Sequence, residues 1–247
     1  MVTVVLNGYK RSKHFGDQLK AIKSQTLRPK EILFWQNKGE DFDDELTKQT
    51  THANSNKNFG VWARFAYALN ARTEYICIFD DDTIPGSKWL ENCYNTIQTH
   101  DGLLGTIGVK FLNEKNYVQN VRVGWDRPNE KTEIVDIVGH SWFFKREDLS
   151  TFWRELPDIN HSVLVGEDMH FSYTLQKYAN KKTYVPPHPM NDREMWGSKP
   201  VSAWTIGSDS AAISKNMQNM ATMNNAFMGY LDKGFKLLKI KWKDTKK

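Results

Sequence analysis

Short apolar runs alternate with amphipathic stretches along the N-terminal half of the chain. The runs at 2–6, 31–35 and 75–79 each end at a polar residue, and this predicts three buried strands. Between them, apolar residues recur with helical spacing over 15–23 and 61–69, and this predicts two amphipathic helices. Strand–helix–strand order is typical of a sheet covered by helices, so we expect an α/β fold with a mixed, mainly parallel sheet.

The pattern is less regular in the second half of the chain. Runs at 103–111 and 133–138 predict strands, while 168–178 has the spacing of a helix. A methionine-rich stretch that begins at residue 208 predicts a longer helix, and the polar stretch 38–58 predicts a loop with one short element.

Length and charge add a boundary to this picture. The 247 residues fit one large domain better than two small ones, and we expect it to span 1–227. The remaining residues, 228–247, carry seven lysines and two aspartates, which account for the whole net charge of +5. The chain is thus a neutral domain with a basic tail, and not a basic nucleic-acid-binding fold.

The sequence also indicates a location. We find neither an apolar run of about 20 residues, which a membrane span needs, nor the pattern of a signal peptide. We therefore expect a cytoplasmic protein, with the basic tail as a candidate contact to an anionic membrane surface.

Polar residues follow the three predicted N-terminal strands where each strand ends. Asn7, Asn37 and Asp80 take these positions. In open α/β sheets, ligands gather beyond the carboxyl ends of the strands. The sequence therefore predicts a binding site at this edge.

Three adjacent carboxylates, Asp80, Asp81 and Asp82, end the third strand. Like charges this close repel unless a cation binds them, and oxygen ligands favour Mg²⁺ or Mn²⁺. Side chains alternate in extended backbone, so Asp80 and Asp82 would serve the metal while Asp81 reaches a ribose hydroxyl. The alternative is a solvated acidic turn that caps the next helix.

These features resemble a known family when their order is considered. "ICIFDDDTIPGSKWLENC" resembles the metal-binding DxD segment of GT-A-fold glycosyltransferases, especially the family 2 enzymes and the exostosin-type domains. The other matching segments occur in the family's order: "VVLNGYKR", "ILFWQNKGE", "NFGVWARF", "IVGHSWFF" and "GEDMHFSYTLQKY". The resemblance runs from about residue 2 to about 196. It implies a Rossmann-like GT-A fold, with a nucleotide-binding half at about 1–110 and an acceptor half at about 111–227.

The resemblance implies roles for the N-terminal polar residues. Asn7, Tyr9, Arg11 and Asn37 would build the nucleotide pocket beside Asp80 and Asp81, and Arg64 would neutralise the donor diphosphate. The alternatives are a simple turn at Asn7 and a solvated surface position for either arginine.

The resemblance also implies a catalytic pair. Asp168 would be the general base that takes a proton from the acceptor hydroxyl, with Glu167 beside it. Helix capping is the alternative for this pair, and the two roles are compatible. His188 is a candidate third metal ligand, with a structural or exposed histidine as the alternative. His140 and Trp196 are aromatic candidates for the acceptor side, and for Trp142 we expect core packing.

The expected activity is therefore transfer of a sugar from a nucleotide-sugar donor, a uridine diphosphate sugar by preference, with Mn²⁺ or Mg²⁺. Competing interpretations are a nucleotidyltransferase of the same fold and a non-catalytic glycan-binding domain. The glycine-poor first loop disfavours the former, and intact Asp82 and Asp168 disfavour the latter. A glycan, a lipid-linked group or a nucleic acid remain candidate acceptors, and the stereochemistry is open with a preference for inversion.

Overall fold

The computed structural model describes residues 1–124, 127–157, 163–199, 205–209, 212 and 217–239. In this part of the chain, one sheet runs through both halves, with the strand order β3-β2-β1-β4-β8-β5-β9-β7 and with β6 paired to β5. The strands are β1 (Val2–Gly8), β2 (Glu31–Gln36), β3 (Thr51–Asn54), β4 (Tyr75–Phe79), β5 (Gly102–Phe111), β6 (Asn120–Gly124), β7 (Glu133–Val135), β8 (Ile137–Lys145) and β9 (Lys182–Val185). The expected single α/β domain with a mixed sheet is confirmed.

The first four strands form the parallel part of the sheet. β1 lies between β2 and β4, and β3 pairs with the outer side of β2, all in parallel. Every residue of β1 and β4 is buried, as expected for strands covered on both faces. The predicted strands at 2–6, 31–35 and 75–79 are confirmed.

Antiparallel pairing enters through β8, which runs against both β4 and β5. Its pairing with β5 contains an irregularity: Gly105 lies opposite Trp142, but Ile107 lies opposite Gly139. Two steps along β5 thus match three steps along β8, which is the residue count of a β-bulge. His140 lies inside this bulge, and its φ of 65° is in the left-handed region that non-glycine residues rarely adopt.

Helices cover the two faces of the sheet. They are α1 (Ser12–Lys23), α2 (Asp44–Thr47), α3 (Ala63–Tyr67), α4 (Trp89–Ile97), α5 (Asp148–Phe152), α6 (Glu167–Ala179) and α7 (Met217–Asp232). The core on one face joins side chains of α1 and α4 to β1 and β4, and the core on the other face joins α3, α5 and α6 to β4 and β8. A third cluster packs α7 against α6 and β5.

Two regions add detail that the hydrophobic pattern did not contain. The polar stretch 38–58 holds both α2 and the edge strand β3. α7 runs across position 228, where the sequence analysis places the start of the basic tail. Tyr230 and Phe235 are buried beyond that point, so the packed part of the chain continues past it.

Among the described residues, no helix combines the length and the apolar character needed to cross a membrane.

Candidate functional site

The carboxyl ends of β1, β2 and β4 meet at one edge of the sheet, as predicted. Asn37, directly after β2, is buried there and its amide is fully engaged within the protein. Its Oδ1 accepts from the Trp35 indole and the Phe59 backbone N–H, both at 3.0 Å. Its Nδ2 donates to the Gly60 carbonyl at 3.2 Å and lies 3.5 Å from Asn7 Oδ1. Asn37 therefore holds the 59–60 loop and keeps no amide group for a base.

The loop that Asn37 holds also contacts the segment before α6. Val61 donates its backbone N–H to the carbonyl of Val163 at 3.0 Å. Gly60 has a φ of 66°, and a Cβ atom there would lie 1.9 Å from the Val163 oxygen. Only glycine fits this position. The contact ties the 59–60 loop to the segment that precedes Glu167.

Asp81 faces the loop that follows β1. Its carboxylate accepts the Tyr9 backbone N–H at 3.0 Å and receives Arg11 Nη1 at 2.5 Å. Burial raises the pKa of Asp81 to about 7, although the charge of Arg11 opposes this rise. Arg11 also lies 3.3 Å from Asp82 and is only 8% exposed, so its solvated alternative is wrong.

Asp80 and Asp82 form a group with His140. One ligand atom from each of these three residues lies within 4.8 Å of the others. His140 Nδ1 is 3.6 Å from Asp82 Oδ1, and the Asp80 backbone N–H donates to the His140 carbonyl at 3.1 Å. Asp81 lies on the side of Arg11 and the Tyr9 backbone, and Arg11 Nη1 reaches Asp82 as well.

The bulge in β8 explains how His140 reaches this group. An extra residue in one strand re-aims the neighbouring side chains, and such strained backbone conformations cluster at functional sites. Two carboxylates and one imidazole form a donor set that suits Mn²⁺ and also accepts Mg²⁺ through its oxygens. The arrangement fits a divalent ion.

The charges around the group also favour a cation. Two arginines, Arg11 and Arg64, lie among a larger set of acidic side chains in the described site: Asp80, Asp81, Asp82, Glu167, Asp168 and Asp209. A buried excess of carboxylates is costly unless a cation or protons compensate it.

His188 does not join this group in the structure. It is completely buried, packed against Trp89 and Trp196, and its ring nitrogens are both used. Nδ1 donates to the Pro186 carbonyl at 2.8 Å, so Nε2 is the nitrogen that accepts the Gly197 backbone N–H at 3.2 Å. Burial lowers its pKa to about 4. The lone pair that a metal would need is engaged in holding the 186–197 loop.

Arg64 is buried between the two acidic groups. It is 1% exposed, so the alternative of a surface arginine is wrong. One guanidinium nitrogen bonds Asp80 and the other bonds Glu167 at 2.7 Å. The guanidinium carbon also lies 4.6 Å from the ring centroid of Trp142, which packs in the core as expected. Burial disfavours the charged form of Arg64, but Asp80 and Glu167 outweigh it and raise its pKa.

Glu167 and Asp168 open helix α6. Gly166, in left-handed conformation at φ 99°, precedes them, and the Asp168 carboxylate accepts the Met169 backbone N–H at 2.7 Å. Burial raises the pKa of both carboxyl groups, that of Asp168 to about 6 against its backbone hydrogen bonds. The two carboxyl groups thus lie together at the buried start of α6.

The sequence analysis did not predict two of these contacts, that of His140 with the aspartates and that of Asp209 with Arg11. His140 was an acceptor-side aromatic there, and only the local break of the apolar pattern at Gly139 and His140 signals a bulge. Asp209 bonds Arg11 across 198 residues, and no local pattern marks that contact.

The model of glycosyl transferase family 2 matches residues 3–159, more than half of the chain, and the chain therefore belongs to this family. Glu167, Asp168 and α7 lie beyond the matched residues. No curated protein matches the chain in sequence.

Solved structures show the same fold at low identity. TarS 1-349 of S. aureus, in a complex with UDP, is 16% identical with a TM-score of 0.56, over 76% of this chain and 58% of that chain. Its complex with UDP-GlcNAc matches with a TM-score of 0.53 over 98% of this chain and 77% of that one, also at 16% identity. The mannosyltransferase PcManGT of Pyrobaculum calidifontis, in complex with GDP-Man and Mn²⁺, is 16% identical with a TM-score of 0.51, over 96% and 76%. The expected GT-A fold is confirmed.

Proposed function

We propose that this protein transfers a sugar from a nucleotide-diphosphate donor, a UDP-sugar by preference, to an acceptor hydroxyl. The observation that carries the proposal is the ion-pair chain Asp80–Arg64–Glu167. It joins the carboxylates suited to a metal with the carboxylate pair suited to base catalysis. A glycosyl transfer with inversion, the preferred stereochemistry, uses both, because the leaving diphosphate and the acceptor proton are then on opposite sides of the reacting carbon.

Asp80, Asp82 and His140 would hold Mn²⁺ or Mg²⁺. When bound, the ion would supply positive charge that stabilises the leaving diphosphate. His140 takes the third position for which the sequence suggested His188. Asp81, held by the Tyr9 backbone, faces the pocket side where a ribose hydroxyl would bind. Tyr9 supplies a ring for the base, while Asn7 and Asn37 shape the pocket floor.

Asp168 would take the acceptor proton. Arg64 holds Glu167 at 2.7 Å, and this bond fixes the start of α6 from which Asp168 extends. Glu167 thus acts by positioning Asp168. Arg64 also forms an ion pair with Asp80, so one guanidinium connects the start of α6 to the metal side of the site.

Donor binding should depend on a divalent ion. Because Asp80 and Asp82 repel a diphosphate unless a cation lies between them, we expect UDP affinity to fall at least about tenfold without metal. Calorimetric titration with UDP in Mn²⁺, in Mg²⁺ and in EDTA measures this. Equal affinity in EDTA would refute the metal site, and titration with uridine separates the base contribution from that of the diphosphate.

The basic C-terminal residues are proposed to approach an anionic acceptor surface, such as a membrane that carries a lipid-linked acceptor. Residues 240–247 carry four lysines and one aspartate. The deletion should remove only residues 240–247. The residues before them are packed, since Phe235 is buried and the Leu238 backbone N–H donates to Asp136 at 2.6 Å. We expect the deletion to weaken binding to anionic vesicles at low salt by about 10²-fold, because it removes a net charge of +3 and each lysine near such a surface contributes about 1 kcal/mol.

Co-sedimentation with anionic and with neutral vesicles over a salt series tests this expectation. A nucleic-acid acceptor would appear instead as lost binding to DNA with retained vesicle binding. Donor hydrolysis should stay unchanged in the truncated chain. Unchanged binding to both surfaces would remove the tail from acceptor recognition.

A further inference from the structure

Arg11 has two edges, and different parts of the chain bind them. Nη1 faces the site and contacts Asp81 and Asp82. The outer edge receives the carboxylate of Asp209 through two hydrogen bonds, from Nε at 3.0 Å and from Nη2 at 2.9 Å. This is the paired, side-on geometry in which a guanidinium binds an anion most specifically.

The two partners differ in how firmly they are held. Arg11 is 8% exposed and is placed by the end of β1 and by the aspartates of β4. The Asp209 side chain is 35% exposed and lies 198 residues further along the chain than Arg11. Near it, Ser208 Oγ donates to the Thr205 carbonyl and the Ala212 N–H donates to the Asp209 carbonyl. Arg11 is thus the fixed partner, and Asp209 is added from the solvent side.

The contact with Asp209 also adds a negative charge beyond those that compensate the Arg11 guanidinium. Asp81 and Asp82 already compensate the guanidinium, so Asp209 is a third carboxylate on one cation. Exchange of Asp209 for another anion therefore leaves Arg11 compensated.

We propose that the outer edge of Arg11 is an anion subsite for phosphate oxygens of the donor, and that Asp209 fills it in the donor-free protein. The fork that binds a carboxylate side-on binds two phosphate oxygens in the same way. The subsite adjoins Asp81 and Asp82, next to the proposed diphosphate site. Asp209 is then a competing internal anion, and the nucleoside diphosphate displaces it. This inference rests on the proposed function for the identity of the anion.

Affinity measurements on three variants test the proposal. Asp209→Asn removes the charge, Asp209→Glu keeps it, and Asp232→Asn removes an exposed charge at the end of α7 as a matched control. We expect Asp209→Asn to bind UDP with Mn²⁺ about fivefold to tenfold more tightly, since the donor no longer has to break a charge-assisted pair. Asp209→Glu and Asp232→Asn should bind UDP like the wild type.

Hydrogen exchange gives a second measurement that does not depend on a variant. Saturating UDP with Mn²⁺ should speed exchange of the backbone amides of 205–209 in the wild-type protein. Weaker or unchanged UDP binding by Asp209→Asn, or slower exchange on UDP addition, would overturn the proposal and make Asp209 a residue that closes over the donor. A similar gain in Asp232→Asn would reduce the effect to overall charge and also overturn it.

Inorganic pyrophosphate separates this proposal from the proposed function. If UDP binds the wild type but Asp209→Asn gains nothing for UDP or pyrophosphate, the subsite fails and the donor assignment stands. If no form binds UDP while Asp209→Asn gains affinity for pyrophosphate, the subsite stands and the donor assignment fails.

Discussion

Asp168→Asn is expected to lower sugar transfer by about 10²-fold or more while UDP and Mn²⁺ affinities stay close to wild type. The reason is that general base catalysis typically contributes at least this factor, whereas the metal group comes from β8 and from the residues that follow β4, and not from α6. Asparagine keeps the size of the side chain and can still accept the Met169 backbone N–H. The loss should therefore come from the missing base and not from a damaged helix start.

The pH dependence gives the same test in the unmodified enzyme. Burial places the pKa of Asp168 at about 6, above the ordinary value of an aspartate. The base form is lost as the pH falls through this value, so kcat/KM should decline below about pH 6. In Asp168→Asn, this limb of the profile should be absent from the residual rate.

Glu147→Gln is the matched control for the Asp168 variant. Glu147 is an exposed acidic residue at the start of α5, away from the site, so the control changes an acid at a helix N-terminus without touching the proposed base. Both variants should unfold within a few degrees of the wild type. Near-normal transfer by Asp168→Asn with normal donor binding would remove Asp168 from the mechanism and make Glu167 the next candidate.

The parts of the site that could be predicted are those that a local pattern encodes. An apolar run that ends in three aspartates describes a buried strand and its carboxyl end, and β4 has that form. The pair Glu167 and Asp168 follows a glycine and precedes a helical pattern, and it opens α6. Parallel pairing of β1 with β2 and β4 then brings their ends together without further information.

The remaining parts depend on register and on distant contacts. His140 reaches the aspartates because β8 contains one extra residue, and a shift of one residue reverses the face of a strand side chain. His188 lies in a proline-rich segment whose rigidity is visible in the sequence, but its direction is set by Trp89 and Gly197. Asn37 was expected to contact a base, yet the 59–60 loop uses its amide.

Asp82→Ala is expected to remove most of the Mn²⁺-dependent part of UDP affinity, whereas Asp81→Ala should lower UDP affinity with and without the ion. Asp82 belongs to the group with Asp80 and His140, while Asp81 faces Tyr9 and Arg11. Losing one of three protein ligands should weaken the metal by about 10²-fold or more, because even residues that only support a ligand typically contribute 10- to 100-fold. Transfer should fall in proportion.

His140→Ala extends this comparison to the residue that only the structure identified as a candidate metal ligand. It should weaken Mn²⁺ more than Mg²⁺, since imidazole suits the former and Mg²⁺ prefers oxygen ligands. His188→Ala would instead remove two buried hydrogen bonds and lower thermal stability, with no selective effect on either ion. Titration of each variant with both ions, followed by UDP, separates these outcomes.

If Asp81→Ala lost the ion and Asp82→Ala retained it, the two aspartates would exchange roles. If His188→Ala alone changed the preference between Mn²⁺ and Mg²⁺, the third ligand would be His188 after a rearrangement of its loop.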